Sequence, residues 1–268
     1  MQKTLQRGVL AACLAVLACE AESPLLPESE MLVVRGYLYS GEPVKDIQLT
    51  TTYAISSDDT SGQPINDAQV TLEKAGKIYP LALTPGDSGY YHYAGYDLTV
   101  EAADRFTITV ARHGQVASAT TEIPPAPNNV QISATEFVVS SMATPFDTSA
   151  IIVSWDNPDE SFYFVTVENI EAVRTPINDL GNAFPRGAAF VRSRPMRENR
   201  YAIRRFALSY LGQHRVRVYK VNQEYADLYA FGQQDSRNLN EPLTNVKNGL
   251  GVFAGFSSAE VRFSVRKE

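Results

Sequence analysis

Cysteine is scarce in this sequence. The 268 residues contain two cysteines, Cys13 and Cys19, and none follows position 19. Secreted domains that are stabilised by disulfides carry several cysteine pairs, so the body of this chain is not a disulfide scaffold. Without cysteine after position 19, the common zinc sites built on thiolates are excluded from that body as well.

Residues and charge that would support catalysis or nucleic-acid binding are also sparse. The three histidines, His92, His113 and His214, have no spacing that is typical of metal ligands, and no Gly-x-Ser-x-Gly elbow is present. The net charge of −6 and the pI near 5.2 argue against general nucleic-acid binding. We therefore expect no enzymatic activity, no metal, no cofactor and no nucleic-acid partner.

An apolar run at the amino terminus is too short to cross a membrane. It covers residues 8–18, after a positive region formed by Lys3 and Arg7. A bilayer-spanning helix needs about 20 residues, whereas this length suits the core of a signal peptide. The run ends in Val-Leu-Ala-Cys, which resembles the bacterial lipobox, where the cysteine becomes the first mature residue and is acylated.

We predict from this pattern that residues 1–18 are a signal peptide and that Cys19 carries lipid, with fatty acids such as palmitate attached. An alternative box ends at Cys13, but it leaves only residues 8–12 as the apolar core. An ordinary secretory peptide is the other alternative. Two or more acyl chains anchor a protein stably, at about 0.8 kcal/mol per buried methylene.

Residues 19–30 (CEAESPLLPESE) form an acidic, proline-bearing stretch without apolar periodicity. Such a composition is typical of a solvated tether. Acidic residues directly after an acylated cysteine resemble the surface-export signal of Bacteroidota lipoproteins. We expect a lipid-anchored outer-membrane protein on the periplasmic or cell-surface face.

The remaining chain is rich in short β-strand patterns. Arg105–Arg112 (RFTITVAR) alternates strictly between polar and apolar residues, and polar turns recur about every ten residues. Short strands at this spacing predict an all-β fold of β-sandwiches. The predicted strands are 31–39, 47–53, 68–73, 77–79, 90–93, 105–112, 115–122, 130–139, 150–155, 161–169, 201–208, 213–222 and 259–265.

A proline-rich segment divides this pattern. Residues 124–129 (PPAPNN) carry three prolines, which fix φ and remove backbone donors. We predict an amino-terminal sandwich over 31–123, a hinge over 124–129, and a carboxy-terminal sandwich over 130–268, fibronectin- or immunoglobulin-like, with a short helix near 223–234. A long loop within one sandwich is the alternative.

The glycine-rich segment Asn248–Gly255 contains Gly-x-Gly-x-x-x-Gly, which can mimic a dinucleotide-binding fingerprint. A true fingerprint follows a strand and opens a helix within a βαβ unit, and neither pattern surrounds this one. We predict a glycine loop that packs Phe253 and Phe256 against a sandwich edge.

Several segments together resemble a Bacteroidota lipoprotein family, domain-of-unknown-function family 4249. The matching segments are Leu32–Leu38 (LVVRGYL), Gln63–Leu72, Gly89–Tyr90, Ile123–Pro127 and Thr244–Gly255 (TNVKNGLGVFAG). The resemblance implies an envelope lipoprotein whose first part is similar to a transthyretin or carboxypeptidase-regulatory sandwich. It also implies a TonB-dependent outer-membrane transporter as a neighbour, and it supplies no catalytic residues.

An arginine cluster reverses the acidic balance of the chain locally. Arginine suits carboxylates, phosphates and sulfates because its planar fork forms bidentate hydrogen bonds. The alternative is a solvated face that pairs with the protein's own acids. Nine arginines fall between positions 186 and 217, and six of them are our candidate anion- or partner-binding residues: Arg192, Arg194, Arg197, Arg200, Arg204 and Arg205.

Three functions fit these observations. The first is a lipid-anchored accessory or binding protein that works beside a TonB-dependent β-barrel transporter. The second is a structural or adhesion lipoprotein of the envelope, and the third is a hydrolase whose site the spacing does not reveal. The sequence favours them in that order.

Overall fold

The structure is a computed structural model that describes residues 31–52, 62–139, 149–178, 188–230 and 244–268. The predicted signal peptide, Cys19 and the acidic tether lie outside these residues. The elements, in chain order, are β1 Leu32–Tyr39, β2 Asp46–Thr51, β3 Gln69–Lys74, β4 Lys77–Leu83, β5 Tyr90–His92, β6 Arg105–Arg112, β7 Gln115–Glu122, β8 Gln131–Ile132, β9 Glu136–Val139, β10 Ala150–Ser154, β11 Phe162–Asn169, β12 Phe190–Arg192, β13 Arg200–Arg204, a 3-10 turn Arg205–Ala207, β14 Gly212–Val221, α1 Gln223–Ala230 and β15 Leu250–Lys267.

The prediction of an all-β fold is confirmed. A large sheet runs in the order β12-β11-β14-β15-β1-β2-β5-β4-β3-β6-β7, β9 pairs with β15, and a smaller sheet has the order β13-β10-β8. The short helix near 223–234 is confirmed as α1 over its first eight residues. Among the described residues, no helix has both the length and the apolar character needed to cross a bilayer.

The first lobe consists of β1–β7. Its sheet folds back at β4, so that β3, β6 and β7 pack over β1, β2 and β5 around one apolar core. Alternate residues of each strand face this core, as Phe106, Ile108 and Val110 do on β6. The period-two pattern of the sequence thus places the apolar side chains on one face.

The second lobe consists of β8–β14, α1 and the carboxyl half of β15. The small sheet packs against β9, β11, β14 and β15 over a core that includes Trp155, Tyr163 and Phe263. Trp155 is 3% exposed and therefore fills the core rather than a surface site.

The last strand connects the two lobes. β15 is 18 residues long. Its amino half pairs in parallel with β1, from Val33↔Leu250 to Tyr39↔Phe256, and its carboxyl half pairs antiparallel with β14. The glycine loop predicted at Asn248–Gly255 is therefore wrong from Leu250 onward, because these residues form a strand inside the sheet.

Glycine is needed where β15 approaches β1. Gly251 has φ +106°, and a Cβ atom there would lie 2.0 Å from the carbonyl oxygen of Val34. Only glycine tolerates that approach, so the glycines of this segment serve strand packing rather than phosphate binding. Phe253, on the same strand, is fully buried in the core of the first lobe.

Hydrogen bonds from Asn222 and Ser257 hold the end of β7 and the start of the proline-rich segment. The Asn222 side chain donates to Thr121 Oγ1 and to the Glu122 carbonyl, both at 2.9 Å. Ser257 Oγ donates to the Pro124 carbonyl at 2.6 Å. The division into two sandwiches at 124–129 stays a prediction. These bonds join the end of β7 to Asn222, the residue before α1, and join Pro124 to β15.

Candidate functional site

The six candidate arginines lie in three different settings. Arg192 ends β12 at the edge of the large sheet, and Arg194 and Arg197 lie in the connection that follows. Arg200 and Arg204 are on β13, in the small sheet. Arg205 is in the 3-10 turn and is buried, so the structure does not bring the six side chains into one patch.

The outer face of the large sheet carries a cluster of aromatic rings at the junction of the lobes. The register aligns Phe164 with Tyr219 and Phe162 with Val221 across β11 and β14, and Val221 lies opposite Phe256 on β15. α1 lies on this face through Tyr225 and Tyr229. We call Phe162, Phe164, Tyr219, Tyr225, Tyr229 and Phe256, together with Tyr37 and Tyr39, the aromatic face.

Arg192 lies against the aromatic face. Its Cζ atom is 5.2 Å from the ring centroid of Phe164, 5.5 Å from that of Tyr229 and 5.7 Å from that of Tyr225. A guanidinium over aromatic rings gains about 0.5–1 kcal/mol at an exposed site. The residue is exposed, so the rings fix the guanidinium while it still faces solvent.

Arg197 is held in a similar way. Its Cζ atom lies 4.0 Å from the ring centroid of Phe162, and Nη1 donates to the Glu160 carbonyl. The residue is also exposed. A guanidinium that lies over an aromatic ring keeps N–H groups at its edge that can donate to a ligand.

Both rings come from the same face of one strand. Phe162 and Phe164 are two residues apart on β11, which spaces their Cα atoms by about 6–7 Å. The guanidinium groups of Arg192 and Arg197 therefore lie over neighbouring rings. We call these two residues the arginine pair.

The arginine pair differs from the arginines nearby on β14 in its acidic partners within the part of the chain that the structure describes. Arg215 pairs with Glu168 at 2.5 Å, and Arg217 pairs with Glu260 at 3.2 Å. Within the described ranges, no carboxylate pairs with Arg192 or Arg197. The proposal that the cluster pairs with the protein's own acids thus fits β14 and does not fit the arginine pair.

The other candidate arginines differ from the pair. Arg200 and Arg204 are exposed at the two ends of β13, opposite Ser154 and Ala150 of β10. Arg205 donates through Nη1 to the Leu208 carbonyl at 3.1 Å and is 9% exposed. Arg194 is exposed beside Ser193, whose hydroxyl donates to the Arg194 carbonyl.

A cleft of about 500 Å³ opens next to Arg197, between the two lobes. The first lobe contributes Glu122 and the proline-rich segment contributes Pro124 and Pro125. We call this the junction cleft. The second lobe lines it with Asp159, Glu160, Ser161, Phe162, Arg197 and residues 220–224.

Charges in the junction cleft are partly neutralised within it. Lys220 Nζ lies 2.7 Å from Asp159 Oδ2, and Ser161 Oγ donates to the same oxygen at 2.7 Å. These hydrogen bonds, with that of Lys220 the largest cause, lower the pKa of Asp159 to about 2. Asp159 is therefore ionised and already bonded to Lys220 and Ser161, and Lys220 is not available as a free cation.

Burial changes the pKa of three tyrosine hydroxyl groups on the aromatic face, those of Tyr37, Tyr39 and Tyr225. Burial raises the pKa of Tyr225 and of Tyr37 to about 12. Burial also raises the pKa of Tyr39, and nearby Asp46 adds to that effect. Tyr225, which lies beneath Arg192, therefore acts through its π face rather than as a counter-charge.

The histidines do not assemble a site. His92 bonds to Thr84 Oγ1, His113 lies 3.2 Å from Asp67, and His214 is buried against Phe263. Among the residues with described placement, no group of three or more His, Cys, Asp or Glu side chains is positioned to hold a metal ion. The site of interest is thus the arginine pair with the junction cleft.

The sequence identified the arginines but not the rings that hold them. The segment Phe162–Phe164 (FYF) reads as an ordinary core strand, and a two-residue aromatic spacing does not reveal which ring meets an arginine. A useful signal was the excess of arginine over acid between 192 and 204, where Glu198 is the one carboxylate.

Comparison with known proteins adds one finding. No curated protein matches the chain. A family described as "Domain of unknown function (DUF4249)" matches residues 20–262, which is most of the sequence. The match includes the arginine pair and the residues that line the junction cleft. The chain therefore belongs to the DUF4249 family.

Proposed function

We propose that this protein is a lipid-anchored binding protein of the bacterial cell envelope that captures an anionic ligand at the arginine pair. Cys19 is the lipid attachment point in this proposal, and the body stands on the outer membrane, at its periplasmic or cell-surface face. The protein is an accessory subunit rather than an enzyme, and it works beside a TonB-dependent β-barrel transporter.

The observation that carries the proposal is that two exposed guanidinium groups lie over aromatic rings without a carboxylate partner in the described part of the chain. An arginine that is already fixed loses little side-chain freedom when it binds an anion. Arg215 and Arg217, by contrast, already hold carboxylates at 2.5 Å and 3.2 Å. The lipobox and the tether, outside the described residues, support the anchored location.

Calorimetry with pyrophosphate tests the anion site. We expect the full mature chain to bind this probe, because its two phosphate groups fit two neighbouring guanidinium groups. The double variant Arg192→Gln/Arg197→Gln should lose at least about tenfold in affinity, since each charge-assisted hydrogen bond contributes about 1.5–3 kcal/mol. Arg174→Gln removes one exposed arginine elsewhere in the second lobe and should bind as the unmodified chain does. Equal affinities for all three proteins would refute the site.

Gentle detergent extraction from the native membrane tests the accessory role. A β-barrel transporter should copurify with the lipoprotein and be identified by mass spectrometry. Recovery of the lipoprotein as a monomer, with the anion site intact, would instead favour the structural or adhesion role. Protease treatment of intact cells would separate a cell-surface from a periplasmic location.

A further inference from the structure

The junction cleft has the size and position of a small-molecule site. Its volume of about 500 Å³ lies within the range of roughly 300–1,000 Å³ for such sites, which form preferentially between domains. Arg197 belongs both to the arginine pair and to the lining of the cleft. A ligand whose anionic group binds Arg197 can therefore also occupy the cleft.

The lining of the cleft selects the chemistry of the rest of the ligand. Glu122, Glu160 and Glu224 line it, together with Asn222, which precedes α1, and Gln223, which begins it. Carboxylates and amides at the same site suit a body rich in hydroxyl groups, because each hydroxyl both donates and accepts hydrogen bonds. Pro124 and Pro125 add apolar surface for the C–H faces of such a body.

Two other ligand classes fit less well. A chain with many negative charges would meet the three glutamates, and like charges repel most strongly where solvent is partly excluded. A flat aromatic ligand needs an uncovered ring to stack on. Among the residues described as lining the cleft, Phe162 supplies the aromatic ring, and Arg197 lies 4.0 Å from the centroid of that ring.

We infer that the ligand is a short oligosaccharide of neutral sugars that carries one terminal anionic group. The anion, a carboxylate, sulfate or phosphate, binds Arg197 and Arg192, and the neutral sugars lie in the junction cleft. This inference rests on the proposed anion site and adds the body of the ligand to it.

Calorimetry on the full mature chain compares sialyl-lactose with its two parts, lactose and free sialic acid. We expect sialyl-lactose to bind at least about tenfold more tightly than either part, because it uses both the pair and the cleft. A sulfated lactose that binds instead of, or as well as, sialyl-lactose supports the inference and identifies the anion. A heparin oligosaccharide should bind more weakly than either monoanionic sugar.

Variants show which residues bind the anionic group and which bind the neutral sugars. Arg197→Gln should reduce the affinity for sialyl-lactose to that of lactose, and Glu122→Ala/Glu224→Ala should reduce it to that of free sialic acid. Arg174→Gln is the charge control and should leave all affinities unchanged. In saturation-transfer NMR on the unmodified chain, the protons of the two neutral sugars should receive signal from the protein.

The possible failures are distinguishable. Sialyl-lactose that binds no better than sialic acid, with no transfer to the neutral sugars, overturns the inference and leaves the anion site standing. The same holds if the heparin oligosaccharide binds most tightly. If neither pyrophosphate nor any anionic sugar binds, the proposed anion site fails as well.

Discussion

The close approach of β15 to β1 allows a strong test of the fold. Gly251 lies opposite Val34 with φ +106°, and a Cβ atom there would meet the Val34 carbonyl oxygen at 2.0 Å. Gly251→Ala therefore adds two costs, the backbone strain of a positive φ and the separation of two paired strands. We expect a loss of about 4 kcal/mol in the free energy of unfolding, from about 1–3 kcal/mol for each cost.

Gly76→Ala separates the two costs. Gly76 has φ +80° in the turn between β3 and β4, and no atom lies within 4 Å of the added Cβ. This control suffers the strain alone, so we expect a loss of about 1 kcal/mol. Urea titration followed by circular dichroism measures both variants. If Gly251→Ala is no less stable than Gly76→Ala, β15 does not lie against β1 as described.

Three further predictions concern pH, the junction and the anchor. Burial lowers the pKa of His214, so as pH falls below about 6.5 the unfolded chain binds a proton more readily than the folded chain. The urea concentration at the unfolding midpoint should therefore be lower at about pH 5.5 than at about pH 7.5 in the unmodified chain. This midpoint should depend less on pH in His214→Gln. Asn222→Ala removes two hydrogen bonds to the first lobe and should lower the free energy of unfolding, measured by urea titration, by about 1–3 kcal/mol. The control Asn199→Ala replaces an exposed asparagine and should lower it by less than about 0.5 kcal/mol. Cys19→Ser should release the protein from the membrane fraction, and a variant that stays bound would contradict the lipid anchor.

Local patterns explain which strands the sequence predicted well. Arg105–Arg112 and Gln115–Glu122 were predicted with the observed bounds, because the alternation is clear and His113-Gly114 makes the turn between them. The predicted strand 201–208 ends instead at Arg204, where a 3-10 turn begins and buries Arg205. That burial depends on packing of the second lobe, which no local pattern records.

Contacts distant in sequence explain what the sequence did not predict. The amino half of β15 pairs with β1, more than two hundred residues earlier in the chain, and its glycines locally resemble a loop. The arginine pair also depends on contacts between residues that are distant in sequence. Arg192 and Arg197 were candidates from charge alone, but their selection over Arg200, Arg204 and Arg205 depends on rings of β11 and α1.

The most direct test of the anion site is NMR of the arginine side chains during titration with pyrophosphate. The Nε–H signals of Arg192 and Arg197, assigned from the variants Arg192→Lys and Arg197→Lys, should shift together and saturate at one dissociation constant. The signal of Arg174 should not move. Saturating shifts at other arginines, with Arg192 and Arg197 unchanged, would contradict the account.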